Sequence, residues 1–137
     1  MSNNAGYNNA AAKNAIDTLV SKYLPVDESK IGSLDDDRIS KGQVSNDERV
    51  ELEKKVIKMF LQNAIQQKKD IHFVTDKARY DDLKEKGVVY EGEEIYLLMN
   101  SEYTKLLDIR PIAYRMLDTP EGLFYSKIMQ QDECLRL

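Results

Sequence analysis

The chain has 137 residues, 42% of them hydrophobic and 32% charged, and its 24 acids against 20 bases give a net charge of −4. That length suits one domain whose core needs no metal or disulfide staple, and the acidic balance disfavours nucleic acid as the default partner. No apolar run approaches the roughly 18 residues of a membrane span. The start, "MSNNAGYNNAAAKNA", lacks a charged region leading into an apolar stretch, and the one cysteine, Cys134, cannot close an internal disulfide. A cytoplasmic protein is the expectation.

Residues 1–9 are rich in Asn and offer little to bury, so they read as a disordered tail. From 10 to 24 an amphipathic helical arm is predicted. Ile16, Leu19, Val20, Tyr23 and Leu24 recur at the spacing of one helical face, and Pro25 ends it. Residues 25–44 show neither helical nor strand periodicity and read as an acidic linker. From Val26 to Asp37 it holds five acids, Asp27, Glu28, Asp35, Asp36 and Asp37, against one base, Lys30, with Ile31 and Leu34 set among them.

A compact α+β domain is predicted for 45–137. Ser45 and Glu48 have the spacing of a capping box, opening a long central helix over 46–68. Its apolar positions, Val50, Leu52, Val56, Ile57, Met59, Phe60, Leu61, Ala64 and Ile65, cover more than half the wheel, so it must meet more than one neighbouring element or bury one side against a second copy of the chain. "IHFVT" alternates with β-branched and aromatic residues and predicts a strand over Ile71–Thr75. Thr75 or Asp76 caps the helix that follows, Gly87 closes it, and "VVY" at Val88–Tyr90 predicts a second strand in a short βαβ unit.

The stretch after Gly92 fits two descriptions. Helical spacing of Ile95, Leu98, Met99, Tyr103, Leu106 and Leu107 slightly favours a helix from Glu93. The alternative is a hairpin at Glu91–Gly92, a strand over Ile95–Met99 and a new helix capped by Ser101. Pro111 then starts a short helix through Leu117. Thr119 as N-cap and Pro120 at the first helical position open another, to about Asp132. The class is α+β, predominantly helical, with a small strand element around 71–99.

Chemistry is weakly signalled. His72 is the single histidine. Its sequence neighbours Asp70 and Asp76 read as a strand end and a helix cap rather than as partners of a general base. The acids of "SLDDDR" lack the alternation and closing Glu of an EF-hand, and adjacent acids such as Asp81–Asp82 point in different directions on a helix. No glycine-rich phosphate loop occurs, and neither a cofactor nor a metal is expected. Eight tyrosines against three phenylalanines suit half-buried surfaces, either rimming a core or forming an interface.

The expectation is therefore a non-enzymatic protein–protein interaction module: an adaptor, regulator or assembly factor. It would bind another protein, or a second copy of itself, through Ile16, Leu19, Val20, Tyr23, Leu24, Ile31 and Leu34. A nucleic-acid-binding accessory protein is the alternative, using Lys54, Lys55, Lys58, Lys68 and Lys69, although Glu48, Glu51 and Glu53 dilute that face. A small enzyme with carboxylates distant in sequence is the second alternative.

Overall fold

A computed structural model describes residues 13–14, 16–18, 20–22, 24–90, 92–98 and 109–136. The fold is α+β and mostly helical, with a long central helix and a two-stranded parallel sheet. No helix among the described residues is long and apolar enough to cross a membrane. Two compact units divide the chain: Met1–Leu24 with Leu61–Asp108, and Pro25–Phe60 with Ile109–Leu137. We call them the sheet unit and the helical unit.

In the helical unit, the segment expected as a linker carries a 3-10 turn, Glu28–Lys30, and a helix α1, Asp36–Ser40. Both starts are capped by aspartate. Asp27 accepts from Ser29 N and Asp35 from Arg38 N, each at 3.1 Å. Periodicity could not find these elements because each is shorter than the window in which a period is measured. Ile39 is buried, and 25–44 clusters with the rest of Pro25–Phe60 in the helical unit.

Helix α2, Asn46–Gln66, begins where the capping residue places it, with Glu48 N donating to Ser45 Oγ at 3.1 Å. Its part up to Phe60 falls in the helical unit, where Leu52, Val56, Ile57 and Phe60 are buried, and the remainder, with buried Leu61 and Ala64, falls in the sheet unit.

Two further helices complete the helical unit, α4 at Ile109–Arg115 and α5 at Pro120–Arg136, and they pack on each other. Between them is a tight corner. Thr119 Oγ1 donates to Met116 O at 2.8 Å and accepts from Gly122 N at 3.0 Å. A Cβ at position 122 would lie 2.0 Å from Met116 O, so only glycine permits this approach.

The sheet unit is a βαβ arrangement, but not with the expected second strand. β1, Asp70–Val74, pairs in parallel with β2, Glu94–Leu98, in the register Asp70↔Glu94 to Val74↔Leu98. Helix α3, Lys77–Glu85, lies in the crossover and packs on both strands. The helix favoured from Glu93 is corrected. Gly92 has φ 65, and Ile95, Leu97 and Leu98 are buried in a strand. The hairpin alternative had the strand but not its parallel partner. Val88–Tyr90 forms no strand and meets β2 through Val89 O, which accepts from Tyr96 N at 2.9 Å. The helix expected beyond Ser101 lies outside the described residues.

Candidate functional site

The first turns of α2 hold a polar network that fastens the acidic segment. Glu48, 5% exposed, accepts from Gly32 N at 2.7 Å and from the Arg38 guanidinium, which also donates to Ser33 O. The expected capping box is therefore half formed, because the Glu48 carboxylate turns to these partners. The Arg38 hydrogen bond holds the Glu48 carboxyl below the usual glutamate range against a smaller opposing effect of burial. One turn on, Glu51 accepts from Asp27 N at 2.8 Å and lies 3.4 Å from Lys54 Nζ. Lys55 bridges Glu28 at 2.6 Å and Glu121 at 3.3 Å, and Lys127 reaches Asp36 at 2.8 Å.

A second network joins α2 to α5. Tyr125 OH donates to Glu53 Oε2 at 2.8 Å, and Arg49 pairs with Asp132. Burial raises the Glu53 carboxyl above its ordinary value, opposed by the Tyr125 hydrogen bond, and burial together with the Glu53 charge raises the Tyr125 hydroxyl. Beside Arg49 and Asp132 lies a cavity of about 220 Å³, walled by Ile39, Val44 and Ile128 with Ser40 and Gln131. Carboxylates and guanidinium groups here hold each other, and that makes the networks structural fasteners.

In the sheet unit, His72 Nε2 lies 3.1 Å from Glu94 Oε1 and its ring stacks on Tyr96, with centroids 4.9 Å apart. The sequence neighbours of His72 did not reveal this carboxylate, since only the parallel register brings position 94 beside position 70. Both side chains are open to solvent, so the pair lacks the water-excluding cleft in which general-base chemistry is strengthened. Asp76 caps α3, accepting from Ala78 N at 3.0 Å. Among the described residues no cluster of three His, Cys, Asp or Glu side chains is placed to hold a metal.

The expected partner-binding positions separate. Ile16 and Leu24 are each 1% exposed, and Val20, Ile31 and Leu34 are half-buried. Leu19 and Tyr23 lie outside the described residues. Of the lysines, Lys54 and Lys55 face acids, Lys69 Nζ donates to Gly92 O, Lys58 is half-buried and Lys68 is exposed. Five charges that read as one face are thus partly neutralised by neighbours.

A different surface is open. Tyr114, Leu117 and Leu123, at 44, 43 and 40% exposure, flank the α4–α5 corner. From sequence, Tyr114 counts only among the tyrosines that suit either a core rim or an interface, and Leu117 only as a helix end. No protein-family model matches the chain, and comparison with curated proteins and with solved structures finds nothing similar.

Proposed function

We propose that the chain is a non-enzymatic protein–protein interaction module, an adaptor, regulator or assembly factor, whose partner-facing surface is the α4–α5 corner. The observation that carries this reading is the exposure of Tyr114, Leu117 and Leu123 around one rigid turn. Exposed apolar groups gathered on a fixed scaffold are what an interface core requires, with Tyr adding area at low entropic cost. The arm and linker positions serve less well, since Ile16 and Leu24 are already covered by the chain itself. The polar networks support the same reading, because their charged groups hold segments of the chain to one another.

The test is retention of a specific protein from the native host by the immobilised full chain, beside Leu117→Asp with Leu123→Asp. The wild type should retain a partner that the double variant loses, while circular dichroism of the two coincides. Equal retention by both would remove the corner from the account.

A further inference from the structure

The two outer sides of the sheet differ. Asp70 N donates to Glu93 O at 2.8 Å, and Asp70 is in register with Glu94. In a parallel ladder this directs the N–H and C=O groups of positions 70, 72 and 74 toward β2 and those of Ile71 and Phe73 outward. The outer side of β2 is met by Val89. Along the outer side of β1, no backbone group among the described residues bonds Ile71 or Phe73, and Phe73 is 37% exposed. The strand carries no proline, lysine or bulge of the kind that blunts an edge. Parallel sheets are ordinarily covered on both faces and wider than two strands.

We propose that β1 pairs edge to edge with β1 of a second copy, antiparallel, across a two-fold axis through His72. The strand is self-complementary in that register. Asp70–Val74 overlaps itself completely: Asp70 faces Val74, Ile71 faces Phe73, and His72 faces its own copy. Ile71 and Phe73 project from one face, so two aromatic–β-branched cross-strand pairs form, each worth a fraction of a kcal/mol, roughly 0.2–1. Lys68, before the strand, comes toward Asp76, after it, on both sides. Parallel self-pairing of this edge would instead need an offset by one residue, because a parallel ladder sets a position facing its partner opposite one facing away, and it would not close as a two-fold does. The product is a four-stranded sheet with β2 at each outer position. This contact is independent of the α4–α5 corner.

The register makes one position diagnostic. Because the groups of His72 face β2, the two copies of position 72 form a non-hydrogen-bonded pair with Cα atoms about 4.5 Å apart. That lies within disulfide range, whereas position 70 faces position 74. In the full chain carrying Cys134→Ser, His72→Cys should oxidise with diamide to a reducible dimer, and Asp70→Cys should remain predominantly monomeric. Sedimentation of the wild type should show a monomer–dimer equilibrium that Phe73→Lys shifts to monomer, with unchanged circular dichroism. A monomer throughout the micromolar to millimolar range would overturn the proposal. So would equal cross-linking at positions 70 and 72, or a dimer indifferent to Phe73→Lys, since association would then use another surface.

Discussion

Three helices end in the same pair of hydrogen bonds, and one of them ends on an ill-suited residue. After α1, Gly42 N donates to Ile39 O at 3.1 Å and Gln43 N to Arg38 O at 2.8 Å. After α3, Gly87 N donates to Lys84 O at 2.9 Å and Val88 N to Leu83 O at 3.1 Å. After α2, Lys68 N donates to Ile65 O and Lys69 N to Ala64 O, both at 3.0 Å. This motif places its central residue in the left-handed region, where Gly42, Gly87 and Lys68 have φ of 66, 72 and 59. A side chain there costs roughly 1–2 kcal/mol, and glycine returns part of the gain through its looser unfolded chain. Lys68→Gly should therefore raise the urea midpoint, by about 0.5–1 kcal/mol of stability. A lower midpoint would show that Lys68 makes a compensating interaction. The tyrosine excess also resolves residue by residue. Tyr80 and Tyr90 are buried with hydroxyls 3.1 Å apart, and Tyr125 is tied to Glu53, so each buried tip has the partner its polarity demands. Composition raised an interface and a core rim equally, and only partner positions could separate them.

At the scale of elements, the acidic segment is held to α2 mainly by charge and hydrogen bonding, with Ile39 as its buried anchor. Glu48 is the hub. Its carboxyl is held below the ordinary value of 4.5 by the Arg38 hydrogen bond, so it contributes stability above that value and loses it as pH falls through the folded-state value. Glu53 has the opposite sign. Burial raises its carboxyl above 4.5, so its contribution is full below 4.5 and fades as pH rises through the raised value. Glu48→Gln should cost roughly 1–3 kcal/mol at pH 7, the range for a lost charge-assisted hydrogen bond and a stranded partner. The deficit should shrink in strongly acidic solution, where the wild-type carboxyl is also protonated. Urea titrations at pH 7 and pH 3 check this, and a deficit equal at both would locate the effect in packing. Much of the element order was legible: the Ser45 start, the Asp76 and Thr119 caps and the Gly87 stop are local chemistry. A strand over Ile95–Met99 is the lesser alternative from sequence because Ile95, Leu98, Met99, Tyr103, Leu106 and Leu107 keep helical spacing, and the strand forms over Glu94–Leu98. Neither the Glu48–Arg38 bond nor the His72–Glu94 pair could be read at all, since both depend on chain segments meeting in three dimensions.

For the whole molecule, the chain forms two compact units, each built from two stretches of sequence. Residues 25–44 fall in the helical unit, and Ile16 and Leu24, in the part of the chain that belongs to the sheet unit, are buried. A run of acids surrounding a few apolar residues resembles a solvated tether in composition, while its fastenings are backbone N–H groups and a guanidinium that composition does not weigh. The open surfaces lie elsewhere, at the corner in one unit and along the β1 edge in the other. The most direct test of the interaction account is amide hydrogen exchange of the full chain, free and loaded with the retained partner. The account predicts that added protection falls on 109–128, around Tyr114, Leu117 and Leu123, because ordering an interface there slows opening of α4 and the first turns of α5. Protection confined to 13–24 or to the lysine-bearing stretch 54–69 would contradict it.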